Sequence, residues 1–228
     1  NVRIGSCRGK HAKGSYKLDC RWGLSFVGGL IHSQAMQDEL PTSWHAAADD
    51  VLPVLRRGTD PPAAVRAEVL GKSLVLLSRP VGEYLQHRLV FNGSAQLTYL
   101  NASHLEQWGV SEENCFQVAG DVLDPTYGLN KMADGLWGLQ TGDGYESSRP
   151  LIPGWLRAFD EQCAGVPVLF VPHARRVLVA DSASPQALLT AWSCAAREFE
   201  TEASPISPRA YVEDLEQGQG AHVLLHFF

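Results

Sequence analysis

No stretch of about 18 apolar residues occurs in this 228-residue chain, so no membrane-spanning helix is expected. An excess of positive charge is missing as well. The 19 Lys and Arg stand against 25 Asp and Glu, a balance that does not suit a surface tracking nucleic-acid phosphates. The tryptophans are spread evenly and none interleaves with a basic patch, which removes the stacking platform of a single-strand binder. Paired cysteines are lacking too. Cys7, Cys20, Cys115, Cys163 and Cys194 form an odd, scattered set, which reads as free thiols in a reducing compartment. Cys7, His11 and Cys20 match no zinc spacing and lack a fourth ligand, so no metal is expected.

The signatures of common chemistries are equally scarce. The glycines of 138–144 lead to no Lys-Ser/Thr and hold no G-x-G-x-x-G, so no phosphate cradle and no cofactor are expected. No Gly-x-Ser-x-Gly elbow presents a nucleophile. Asp49-Asp50 and Glu112-Glu113 are neighbours in sequence; on a helix such pairs diverge rather than converge on a proton. The first 17 residues are basic and Gly-rich, without the apolar stretch of a signal peptide, and a cytoplasmic protein is the expectation. The Asn92 and Asn101 sequons then read as chance matches.

What is present is a core. Hydrophobic residues make up 45% of the chain, the proportion of an ordinary globular domain. Residues 15–20 read as a strand and 24–37 as a Gly-interrupted helix. Trp44, Ala47, Ala48, Val51, Leu52 and Leu55 lie at helical spacing, with Pro53 as the one offending residue. Strands are expected at 74–77, 84–90 and 96–100, the last two joined around Asn92-Gly93. Asn101 or Ser103 begins a short helix, and Ser111 with its acidic pair begins a second that buries Phe116 and Ala119. Residues 134–140 read as a strand, 151–163 as a helix burying Trp155, Leu156 and Phe159, and 166–171 with 176–180 as an antiparallel hairpin. Ser184-Pro185 opens a long helix whose apolar stripe contains Leu188, Leu189, Trp192, Ala195, Ala196 and Phe199; residues 221–227 read as a closing edge strand. Strands and helices intermingle with no βαβ rhythm and no repeat. The fold expected is therefore α+β, a mixed, largely antiparallel sheet packed by amphipathic helices. Residues 1–72 read as the N-terminal part of one domain and 73–228 as its core.

From Leu74 to Tyr211 the order of features resembles the YtpQ-type family of bacterial proteins of unknown function. An apolar strand ends in Arg79-Pro80, then come LTYLNASHLEQWGVSEENCFQVAGDVL, GDGYESSRPLIP, the hairpin VPVLFVPHARRVLVA, a long helix and PISPRAY. The resemblance implies a cytosolic α/β protein and no established reaction.

One polar segment stands out, Gly142 to Arg149. Ahead of a helix, its N–H groups and Arg149 suit an anion, with Asp143 and Glu146 beside them and Arg175 and Arg176 on the hairpin tip opposite. The same residues also read as a turn and cap, with Ser147 or Ser148 capping and Gly144 supplying a positive φ. His173 at the tip permits a second chemistry: Ser147 or Ser148 as nucleophile, His173 as base, and Asp181 or Asp143 as orienting acid, a hydrolase or transferase. The leading expectation is a non-enzymatic domain binding a protein or a small anion, with no nucleic acid and no membrane as partners.

Overall fold

The computed structural model describes residues 40–59, 63–69, 72–93, 96–123, 130–213 and 225–227. All of them belong to a compact unit spanning 35–228. The strand expected at 15–20, the helix at 24–37, the Cys7–His11–Cys20 trio, Ser94 of the first sequon and His222 lie outside the described residues.

In chain order, a single turn α1 (Trp44–Ala47) leads through a 3-10 turn at Ala48–Asp50 into β1 (Val51–Arg57). A small hairpin follows, β2 (Arg66–Val69) and β3 (Lys72–Val75), then β4 (Ser78–Gly82), β5 (Leu85–Asn92) and β6 (Leu97–Tyr99). Helices α2 (Ala102–Trp108) and α3 (Glu112–Val122) come next, then β7 (Asn130–Ala133) and β8 (Leu136–Leu139). Two 3-10 turns, Glu146–Leu151 and Leu156–Phe159, precede the hairpin β9 (Pro167–His173) and β10 (Arg176–Asp181). The chain continues into α4 (Pro185–Thr201), β11 (Ala210–Glu213) and β12 (Leu225–Phe227). The fold is α+β. The large sheet runs β1-β5-β4-β12-β11-β9-β10-β8-β7, with β6 on the far end of β5, and among the described residues only β4 with β12 pairs parallel.

The two halves of the sheet use the strand period of two differently. On β9 and β10, Leu169, Val171, Val177 and Val179 join the central core with Trp137, Leu139, Trp155, Leu156 and Phe159. The alternate residues Val168, Phe170, Leu178 and Ala180 face α4. Leu55, Val81 and Leu85 of the other half belong to the same central core, so one apolar layer spans both halves. A separate cluster packs α2 and α3 against β1 and β5 through Leu77, Leu89, Phe91, Leu105 and Phe116.

Four expectations are corrected. Residues 51–57 are a strand, in full register with β5 from Val51↔Phe91 to Arg57↔Leu85, and the helical stripe ends after one turn. Pro53 is tolerated because β1 forms one end of the strand order beside β5 and pairs on one side only. Residues 151–163 do not form an α-helix: the 3-10 turn ends at Leu151 and Gly154 takes a positive φ of 74°, although Trp155, Leu156 and Phe159 are buried as the pattern required. On α4 the buried residues are Ala187, Ala191 and Ala195, whereas Leu189 and Trp192 are 58% and 56% exposed. Finally, β12 does not close an edge. It lies between β4 and β11 in the middle of the sheet.

Local signals that held include the hairpin around Asn92-Gly93, the caps at Asn101, Ser111 and Ser184, and the β9–β10 hairpin. Asn101 is buried and its side chain accepts from Ser103 N at 2.9 Å, which commits the second sequon to capping. No helix among the described residues is long and apolar enough to cross a membrane.

Candidate functional site

The segment 142–149 and the β9–β10 tip do meet, through backbone: Ser147 N donates to Ala174 O at 3.0 Å. The side chains, however, turn inward. Glu146, Ser147, Ser148 and Arg149 are between 0% and 3% exposed, because the 3-10 turn that carries them packs between β1 and β10. Asp143 organises the loop ahead of it, accepting from Thr141 Oγ1 at 2.9 Å and Tyr145 N at 2.8 Å and pairing with Arg149. Glu146 Oε1 accepts from Gly142 N at 2.7 Å. Arg149 and Asp143 are therefore brought together, the buried guanidinium closed off by a carboxylate at the surface. A guanidinium enclosed by the protein and already matched by a carboxylate is not offered to a ligand.

His173 is held on the α4 side of the tip. Its Nε2 lies 3.4 Å from Glu198 Oε2, and its Nδ1 accepts from Arg175 N at 3.3 Å. The hydroxyls of Ser147 and Ser148 make no hydrogen bond, so neither serine lies within bonding reach of His173. Arg175 pairs with Glu202 at 3.6 Å and Arg176 with Glu198 at 3.8 Å, so α4 neutralises both cations of the tip. Asp181 sits at the opposite end of β10. Its carboxylate accepts from Ala164, Gly165 and Ala183 N–H at 2.8–2.9 Å. Burial pushes the Asp181 pKa up, but the three backbone donors outweigh it and hold it below the usual carboxylate value. Asp181 thus closes a loop and orients no imidazole. Among the described residues no group of three or more His, Cys, Asp and Glu is placed to hold a metal.

A different group of cations is less well matched. Arg56 on β1 and Arg88 on β5 lie on one face of the sheet, since Arg56 is paired with Gln86 and Val54 with Arg88. Diagonal neighbours of this kind have backbones roughly 7–8 Å apart, and long side chains reach across that gap. Both side chains are partly buried, and neither has a carboxylate within ion-pair distance among the described residues. Neutral acceptors hold them instead. Arg56 donates to Tyr99 Oη and Leu55 O, both at 2.9 Å; Arg88 donates to Arg57 O and Gln86 Oε1, both at 3.1 Å. Among the described residues, one terminal nitrogen on each guanidinium has no hydrogen-bond partner. Burial is the main cause that lowers the Arg88 pKa; the Tyr99 oxygen opposes it and the Arg56 charge adds to it. Arginine stays protonated under such shifts, so the strain falls on charge solvation.

Gln86 connects this pair to an open cleft of about 390 Å³ beside β4. Its side-chain amide donates to Ala63 O at 3.1 Å on the cleft wall while its oxygen accepts from Arg88. Ser78 and Pro80, which also line the cleft, are the register partners of Arg88 and Gln86, so floor and arginines share a face. Sequence reading missed this group because it took 44–55 for a helix and Arg57 for the start of a turn. What puts Arg56 and Arg88 side by side is the β1–β5 register, which local sequence does not carry.

Comparisons with protein-family models, with curated proteins and with solved structures return no match.

Proposed function

We propose that this chain is a non-enzymatic domain that binds a small anion, with Arg56 and Arg88 as the seat. The observation that carries the reading is the pair itself: two half-buried guanidiniums, side by side on one sheet face, held among the described residues by neutral acceptors. An anion bridging them would offset their like charge and take up the one open terminal nitrogen on each. The groups first considered for catalysis support the same reading from the other direction, because Ser147, Ser148, His173 and Asp181 are separated or spent on structure. A cytosolic setting belongs to the proposal and rests on the free thiols Cys115, Cys163 and Cys194. So does the YtpQ-type resemblance; its span contains Arg88 but not Arg56.

Thermal unfolding in inorganic phosphate, against chloride at matched ionic strength, tests the seat. Ligand binding to the native state raises Tm by mass action. Arg56→Gln and Arg88→Gln should each weaken phosphate affinity about tenfold, the loss of one charge-assisted contact of about 1.5 kcal/mol, so that the same rise in Tm needs about tenfold more phosphate. A phosphate effect of equal size in both variants would remove the reading.

A protein partner is favoured by one observation of its own. Leu189 and Trp192, at i and i+3 on α4, are both more than half exposed. If concentration-dependent association is seen and Leu189→Ser with Trp192→Ser leaves it unchanged, that second reading fails.

A further inference from the structure

Building on the anion seat, we propose that the ligand is a single-headed amphiphile: one carboxylate or phosphate monoester, held at Arg56 and Arg88, on a short apolar body lying in the cleft beside β4.

Three observations lead there. The cleft adjoins the seat at Gln86, which lines the one and accepts a hydrogen bond from Arg88 in the other. Its walls are chiefly apolar, with Ala63, Ala64, Val75, Leu77 and Pro80 offering carbon surface, and its volume of about 390 Å³ suits a small molecule rather than a bare ion. Val75 is 46% exposed at this wall, an apolar side chain that a ligand's body would cover. The charge pattern then sets the number of heads. Glu112 also lines the cleft, and Arg79, which could have cancelled it, is shared between Glu112 at 3.3 Å and Glu113 at 3.0 Å. The cleft wall at Glu112 therefore carries one carboxylate more than the guanidinium that serves it, and a second anionic group on the ligand would meet repulsion there. A dianion with a charge at each end is disfavoured, while an anion with an apolar tail is accommodated.

Calorimetric titration of the full chain at low ionic strength, with acetate, hexanoate, adipate, inorganic phosphate and phenyl phosphate, tests this. Hexanoate should bind at least tenfold more tightly than acetate and than adipate, or phenyl phosphate tenfold more tightly than phosphate; the series that binds identifies the head. Ala64→Phe, which narrows the cleft, should abolish the gain from the tail and leave the binding of the small anion unchanged. Arg88→Gln should weaken every member of the series. If the small anions bind and the tailed ones gain nothing, the amphiphile is overturned and the seat survives. Tailed ligands that bind equally well after Arg88→Gln would also overturn it, since the cleft would then act without the arginines. Absence of binding by all five removes the seat and this inference with it.

Discussion

Asn101 and His104 close a capping box in which each side chain serves the other's backbone. The Asn101 side chain accepts from Ser103 N at 2.9 Å, and the Asn101 N–H donates to His104 Nδ1 at 3.3 Å. The second bond needs an unprotonated ring nitrogen, and burial lowers the His104 pKa accordingly. The sign is fixed by that direction. The unfolded chain takes up the proton first, so the contribution of His104 is full above the ordinary histidine value and is lost as pH falls through its folded value. Acidification below about pH 6.5 should therefore lower Tm, and His104→Gln, which cannot titrate, should flatten that limb. Histidine proton chemical shifts would report the depressed titration directly; a His104 titrating at or above its free value would contradict the account. The residue scale also shows why the polar segment was misread. Asp143, Glu146, Ser147, Ser148 and Arg149 are the composition of an exposed loop, and sequence holds no mark that the last four are buried. Their burial depends on β1 and β10, elements more than 25 residues away on either side.

Helix α4 shows the same limit one level up. Its start was legible, because Ser184 caps it and Pro185 sets its first turn; the Ser184 Oγ accepts from Ala187 N at 3.3 Å. Its buried face was legible only in part: Ala195 was in the expected stripe, but hydrophobicity also pointed to Leu189 and Trp192, while packing selected Ala187 and Ala191. Small residues let the helix approach the β9–β10 hairpin closely, and Val168, Phe170 and Leu178 supply the bulk from the sheet side. Ala191→Leu should overpack this contact and cost roughly 1–3 kcal/mol. Trp192→Gln should change stability by less than about 0.5 kcal/mol, as an exposed substitution does. Denaturant midpoints of the two variants decide the matter, and the reverse order would mean that α4 is rotated about its axis. Elements with a strong local grammar were read correctly: caps, the hairpin around Asn92-Gly93, and the β9–β10 hairpin, whose connection is two residues rather than the four expected. Residues 44–57 were not, since one helical turn followed by a strand buried on both faces imitates a longer helical stripe. Arg56 was lost with that strand.

At the scale of the molecule, the two halves of the sheet are joined by side chains as much as by backbone. Tyr211 of β11 is fully buried. Its hydroxyl lies 2.7 Å from Ser207 Oγ and donates to Glu83 O at 3.2 Å, in the turn between β4 and β5. Burial pushes this phenol up to about 12, against the pull of Ser207 and Arg209. The stability it lends is complete below the unfolded tyrosine pKa near 10 and disappears as pH rises through about 12. In an alkaline absorbance titration one tyrosine should ionise late, and Tyr211→Phe should remove that late step while costing about 1–2 kcal/mol for the hydroxyl's lost bonds. A wild-type titration with no late tyrosine would show that Tyr211 is not held in this way. The α+β class and the antiparallel character of the sheet could be read from the sequence, but strand order could not, because pairings between distant segments leave no local trace.

The place of β12 has a kinetic meaning. Gly82 on β4 finds its parallel partner only in Leu225, so the middle of the ladder is the rung whose two ends are farthest apart along the chain. Each half-sheet has hairpins of its own and can assemble early, whereas the strand between them must be threaded in across a long closed loop, the slowest kind of contact to make. During synthesis, the half containing the arginines would emerge and fold well before the strand that joins it to the other half had left the ribosome.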